Sequence, residues 1–290
     1  MSHEGSSRLG YERRGEGIVP VLSPFSSGLD ERLRGGEVLI GTFLNLGSCV
    51  AAEICASAGF DWVVVDLEHG SGSEACLLSQ LQAVAGTGVS GMVRVESHDR
   101  SRIGHALDAG AAGIVAPRVD SPEQARLVVA GTRYPPDGTR GVALMNRAAG
   151  FGTGGAAALA RAGEHIVTVL QVESAAALGA LDEIASVRGA DVLFVGPADL
   201  SYSLGIFGRL SDPVFVDALR AVAKVAENHG KVAGVLAGTP EEAEGYLEEG
   251  YRFVGIGGDG GFLAKGATAA AAELRDRVSI AERTGKEQRS

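Results

Sequence analysis

Short runs of apolar, mostly β-branched residues alternate with longer stretches whose apolar positions recur every three or four residues, and the alternation repeats eight times from Val38 onward. The strands it predicts are Val38–Leu44, Trp62–Asp66, Gly91–Arg94, Gly113–Ala116, Val167–Val172, Val192–Val195, Val232–Leu236 and Phe253–Ile256. Helical stretches begin near Cys49, Ser73, Ser101, Pro122, Ser174, Pro213, Thr239 and Phe262. The runs WVVV and VLFV are apolar throughout, the pattern of a parallel strand covered on both faces. A repeated junction (AGFDWVVV, AGAAGIVA, GADVLFVG, EEGYRFVGIG) separates helix from strand. In it, or at the same place before strand seven, Gly59, Gly110, Gly230 and Gly250 take the left-handed slot just past a helix end. Asp99 and Ser121 read as N-caps, with Pro122 at N1 and Glu123 at N2. Eight such units predict an α/β fold, a closed (β/α)8 TIM barrel. The competing architecture, a doubly wound open sheet, rarely carries eight regular units without a second domain.

Composition narrows the picture. The chain has 290 residues. Residues 1–28 are rich in Ser, Gly and Arg, lack the apolar core of a secretory signal, and read as a mostly disordered extension. Residues 29–290 read as a single barrel domain. Tyr134–Gly163, with Pro135-Pro136 and a glycine cluster, interrupts the rhythm and predicts a lid or interface loop. Lys and Arg number 26 against 36 Asp and Glu, a net charge of −10, and aromatics are 5%. That balance excludes the basic footprint and stacking platforms of a nucleic-acid binder. No apolar stretch approaches the roughly 20 residues of a membrane-spanning helix. Cys49, Cys55 and Cys76 form no CxxC and read as reduced thiols of a cytoplasmic protein.

In a barrel the chemistry sits where strands end. The polar residues there are Asp66-Leu67-Glu68-His69 after strand two, Arg94 after strand three, Gln171-Val172-Glu173 after strand five and Gly196-Pro197-Ala198-Asp199 after strand six. Glu173 and Asp199 end neighbouring strands about 4.8 Å apart. They either share a hard cation such as magnesium or manganese, or are surface and capping carboxylates. His69 is either a structural residue or a general base whose basicity Asp66 raises. Arg94 needs an anion, from the protein or from a substrate. None of the four lysines (Lys224, Lys231, Lys265, Lys286) ends a predicted strand, which argues against a Schiff-base mechanism. The GxGxxG run Gly255–Gly260 lacks the following strand with its ribose-binding acid. It reads as a tight turn or small anion nest, not an NAD site. Ser201 and Ser203 lie outside any GxSxG nucleophile elbow.

In order, GLDERLRGGEVLIGTFL, AGFDWVVVDLEHG, VRVESHD, DAGAAGIVAPRVDSPEQA, TRYPPDGTRGVA, LQVES and FVGPADLSYSLG resemble the HpcH/HpaI aldolase/citrate lyase family, from Gly28 nearly to the end. The resemblance implies a phosphoenolpyruvate/pyruvate-type barrel and a divalent-metal-dependent aldolase that cleaves or forms 4-hydroxy-2-oxo acids through a pyruvate enolate. Glu173 and Asp199 would bind Mg2+, Mn2+ or Co2+, with no PLP. His69 would be the acid/base residue assisted by Asp66, and Arg94 would stabilise the enolate. Gln171, Gly196, Pro197, Ala198, Asp199 and Leu236 would surround the keto acid. Asp108 matches an aspartate that acts on the histidine across a subunit contact. The implied partners are a 2-oxo acid, an aldehyde and further copies of the chain, in a hexamer built as a trimer of dimers with the last helix packed on a neighbour. A carbon–carbon-forming synthase, a coenzyme-A-ester lyase and a non-catalytic scaffold are the alternatives on this fold. Ser97-His98 stands where many members carry Trp-Asn, and LMNRAAGFGTGG is nearer the sugar-acid branch. Arg140 and Arg147 either face a distal carboxylate or pair at the surface.

Overall fold

The computed structural model describes residues 11–14, 17–20, 28–153, 159–160, 163 and 165–287. Eight parallel strands close into a barrel: β1 (Leu39–Leu44), β2 (Trp62–Asp66), β3 (Ser90–Arg94), β4 (Gly113–Ala116), β5 (Val167–Val172), β6 (Val192–Val195), β7 (Val232–Ala237) and β8 (Phe253–Gly258), with β8 paired to β1. Each predicted strand is present to within two residues at either end. The predicted caps hold as well. The Asp99 carboxylate accepts from Ser101 N–H and the Ser121 hydroxyl from Gln124 N–H. Gly59, Gly110, Gly230 and Gly250 all have φ between 62° and 99°.

The helices used below are α1 (Leu29–Arg34), α2 (Cys49–Ala56), α3 (Glu74–Val84), α4 (Arg100–Asp108), α5 (Pro122–Thr132), α6 (Ala175–Gly179), α7 (Leu181–Ala185), α8 (Pro197–Ser203), α9 (Pro213–Asn228), α10 (Pro240–Glu248) and α11 (Asp259–Glu287). The periodicity did not signal α1 or α8. It placed the start of α11 three residues late, because Gly257, Gly258, Gly260 and Gly261 read as a turn.

Two apolar layers hold the barrel. One lies between strands and helices. The other fills the interior, where Leu39, Phe43, Trp62, Val64, Met92, Val115, Val167, Val169, Val192, Phe194 and Phe253 pack together. Size is matched across staves. A Cβ on Gly41 would fall 2.0 Å from the Trp62 ring, so only glycine leaves room for the indole, which stacks on Phe253 at 4.2 Å between centroids.

Helix α1 closes the end where strands begin. Its Leu29 and Leu33 join the interior core, Arg32 donates to Asp61 (2.8 Å), and Asp30 pairs with Arg34 and with His165 Nδ1 (2.9 Å). The segment 134–163, part of which (154–158 and 161–162) lies outside the described residues, joins α5 to β5 at this same end. Arg140 is buried, stacks on Tyr134 and pairs with Asp108 at 3.0 Å. Arg147 donates to the carbonyls of Ala109 (2.9 Å) and Leu81 (3.4 Å), at the ends of α4 and α3. The segment is therefore not a lid on the rim of its own barrel, because an α-to-β connection lies at the opposite end. It presents Val142, Leu144, Met145 and Phe151 to solvent. Within the extension expected to be disordered, Tyr11–Arg14 pairs antiparallel with Gly17–Pro20; the rest of residues 1–27 lies outside the described residues. Beyond its first turn α11 is exposed as far as its side chains are described. Among the described residues no helix is long and apolar enough to cross a membrane.

Candidate active site

The two-residue period that fills the barrel also builds its rim. Interior-facing positions run Trp62, Val64, Asp66 and Glu68 up from β2; Met92 and Arg94 on β3; Val167, Val169, Gln171 and Glu173 on β5; and Leu39, Phe43 and Asn45 on β1. A polar layer thus rests on an apolar one, where charges are poorly solvated and must find partners.

Asp66 and Arg94 face each other in register on β2 and β3. Arg94 donates from Nε to Asp66 Oδ1 and from Nη2 to Oδ2, both at 2.8 Å, a planar two-point pairing. Its Nη1 lies 3.1 Å from Glu68 Oε2, and the guanidinium sits over the Phe43 ring at 5.2 Å. Asn45 Nδ2 donates to Asp66 Oδ2 at 2.7 Å, and the backbone N–H groups of Glu68 and His69 donate to Oδ1. Burial pushes the Asp66 carboxyl up, but Arg94 and the two N–H donors outweigh it and hold the group below its usual range. Glu68 goes the other way: burial raises it more than Arg94 lowers it.

Glu173 is 5% exposed. Its Oε1 accepts from Arg118 N–H at 2.7 Å and its Oε2 from Gln171 Nε2 at 3.1 Å. A Cβ on Gly196 would fall 2.8 Å from Oε2, so this glycine is the wall that lets the carboxylate close in on β6. Burial first, then the nearby Asp199 and Glu68 carboxylates, push the Glu173 carboxyl up to about 7 against the pull of the Arg118 N–H and Arg94.

Asp199 stands exposed in the first turn of α8, after Gly196, Pro197 and Ala198. Leu236 lines the interior from β7. His69 is also at this end, its side chain 65% exposed and Nε2 3.8 Å from Glu68 Oε2. The pairing of Asp66 with the His69 ring is not formed. Asp66 points inward and is taken by Arg94 and Asn45, whereas His69 is one position out of phase and offers it only a backbone N–H. Asp108 lies at the other end of α4, held by Arg140, and among the described residues no contact brings it to His69.

Sequence reasoning missed Asn45 as a support of Asp66, Glu68 as a partner of Arg94, and the Arg118 N–H. The first two follow the interior phase and were findable from it. Asn45 is itself clamped: its N–H donates to Asp259 Oδ1 (2.7 Å), and its carbonyl accepts from Ser71 N–H (2.6 Å). The GxGxxG run is thereby explained. Asp259, at its fifth position, ties β8 to the loop after β1.

Among the described residues no three His, Cys, Asp or Glu groups are arranged to enclose a metal ion. A cation here would rest on two carboxylates and take its other ligands from water and substrate, a mode natural to magnesium. The donor set fits. Asp66, Glu68, Glu173 and Asp199 share a rim with the Arg94 guanidinium, the Glu173 carboxyl is raised first by burial and then by its acidic neighbours, and Gln171 Oε1 is buried without a hydrogen-bond partner.

The family model described as HpcH/HpaI aldolase/citrate lyase matches residues 39–266. The chain is 41% identical to the hydroxypyruvate/pyruvate aldolase of Deinococcus radiodurans, over 88% of this chain and 92% of that protein. It is 38% identical to the 5-keto-4-deoxy-D-glucarate aldolase of Escherichia coli K12, over 78% and 88%. Among solved structures, an HpcH/HpaI aldolase/citrate lyase family protein of Burkholderia cenocepacia superposes with a TM-score of 0.81 at 38% identity, covering 86% of this chain and 99% of that one.

Proposed function

The chain belongs to the HpcH/HpaI aldolase/citrate lyase family and is a carbon–carbon lyase of the aldolase kind, and from that premise we propose that its rim cluster cleaves or forms 4-hydroxy-2-oxo acids, releasing or consuming pyruvate. The observation that carries this reading is the surplus of acid around Glu173 beside a half-buried, oriented guanidinium. Glu173 and Asp199 would hold the divalent ion, Mg2+, Mn2+ or Co2+. When bound, that ion supplies Lewis-acid polarisation of the 2-oxo group.

The remaining work falls to the chain. Gln171, Gly196, Pro197, Ala198 and Leu236 surround the keto acid, with the Gln171 amide beside Glu173 fixing its angle. Three of the five N–H groups of Arg94 lie against Asp66 and Glu68, which leaves two for the enolate oxygen of the departing pyruvate. Asp66 and Asn45 keep that guanidinium from turning. His69, exposed at the rim, accepts the 4-hydroxyl proton as the C3–C4 bond breaks and the electron pair moves into the enolate.

A homo-oligomer completes the reading. Asp108 serves a neighbouring copy, and the exposed α11, with Leu263, Leu274 and Val278 open to solvent, packs on one. A cytoplasmic location accompanies three free cysteines.

The test is pyruvate release from 4-hydroxy-2-oxo acids of different length with and without EDTA. Release that the chelator abolishes and added Mn2+ restores supports the proposal. Release indifferent to the chelator, or consumption of oxaloacetate with no pyruvate formed, overturns it.

A further inference from the structure

Resting on the cation reading above, we propose that His98 is a positioning residue for Glu173, acting through the one peptide unit that joins Pro117 to Arg118. His98 lies half-buried in the loop between β3 and α4, with Nε2 2.6 Å from the Pro117 carbonyl oxygen. A carbonyl only accepts, so the imidazole carries a proton on Nε2 and donates it. The N–H of that same peptide unit belongs to Arg118 and donates to Glu173 Oε1 at 2.7 Å. One rigid plane is therefore gripped at both ends, by His98 on its oxygen and by Glu173 on its nitrogen.

Arg118 shows what orientation the grip maintains. Its φ is +48°, and among the described residues only Phe151 is another non-glycine with positive φ. That backbone region is disfavoured for a side chain with a Cβ. The direction of the plane is set by ψ of Pro117 and φ of Arg118. Rotating it half a turn returns Arg118 to negative φ, but swings the carbonyl off His98 and the N–H off Glu173. Without the His98 bond, relief of strain favours the rotated form. Glu173 then loses the donor that fixes the rotation of its carboxylate. His98 so acquires a task at the Glu173 carboxylate.

The experiment titrates the full-length protein with Mn2+ alone, reading free ion by electron paramagnetic resonance, in wild type, E173Q, H98A, H98Q and H98A/R118G. Outer-shell partners of metal ligands typically contribute about 10–100-fold in affinity. We expect H98A to weaken Mn2+ binding by about that factor. We expect H98Q, which retains an N–H donor, to recover most of it. Adding R118G to H98A removes the objection to positive φ and should recover part. H98F, which fills the site without a donor, should show the same loss as H98A and replaces it if the alanine chain does not fold. A role confined to packing would lower Tm with no rescue by R118G, and that result overturns the proposal. Unchanged Mn2+ affinity in H98A and H98F beside a clear loss in E173Q overturns it too, while leaving the cation reading intact. Equal affinity in wild type and E173Q overturns the cation reading itself, and this proposal with it.

Discussion

The two ends of the barrel are both lined with charge, and they handle it differently. Where strands begin, charges are closed off. Arg32 meets Asp61, Asp30 meets Arg34 and His165, Arg140 meets Asp108, and Arg147 and Lys231 end on backbone carbonyls. Where strands end, Asp66 and Glu68 share Arg94, whereas Glu173 and Asp199 have no salt bridge among the described residues, and the acidic neighbours of Glu173 add to the burial that raises it. An end built for stability pairs its ions. An end built for chemistry keeps one sign in excess, for a ligand to balance.

Substitutions can break this contrast, and the largest effect belongs to Glu173. E173Q should retain the fold and lose at least about 10³-fold in kcat/KM, because Lewis-acid stabilisation is worth several kcal/mol; pyruvate release at saturating Mn2+ measures it. A value within tenfold of wild type would place the cation elsewhere. Next comes Arg94→Ala, expected to slow retro-aldol turnover by about 10²–10³-fold. It should also lower Tm, because Asp66 is left buried without its guanidinium. Near-normal turnover in that variant would remove Arg94 from the enolate.

A third comparison uses pH. Between its ordinary 4.5 and about 7, Glu173 is protonated in the folded protein and ionised in the unfolded one. The unfolded state then binds fewer protons, so stability without metal falls as pH rises through that window. E173Q lacks this loss and should be about 1–3 kcal/mol more stable than wild type at pH 8 without metal, and equal to it near pH 4. Asp66, lowered rather than raised, is common to both proteins and cancels. Denaturant midpoints at the two pH values give the answer, and a difference that does not change with pH would contradict the raised carboxyl. The smallest effect is expected where strands begin. D61A takes the acceptor from Arg32 Nη2, whose Nε still holds Glu37, and from the Ile40 N–H, at a cost of about 1–2 kcal/mol, with kcat within about twofold. A large fall in kcat there would show that the two ends are coupled.

The sequence made the barrel legible because its signals are local and repeat. Continuous apolar runs, glycines past helix ends and Ser or Asp caps each name an element without reference to the others. The rim was legible as a set of residues at strand ends, but not as a set of pairs. Spacing along the chain pairs Asp66 with His69, three residues on. Register across β2 and β3 gives it Arg94, 28 residues away, and that alignment depends on closure of the whole barrel. The interrupting segment stands out in the pattern as an exception, and the end it occupies follows from its being an α-to-β connection between α5 and β5. The positive φ of Arg118 had no signal at all, since arginine does not mark that backbone as glycine or asparagine does.

Trp62 is the chain's single tryptophan, and it spans the seam where the first and last staves meet, beneath Gly41 and flat against Phe253. Its emission should therefore report closure of the cylinder during refolding, and stay almost silent when ligands arrive at the far end. The molecule carries its own fluorophore for assembly, and following turnover optically will need a dye or a second indole introduced near the opening.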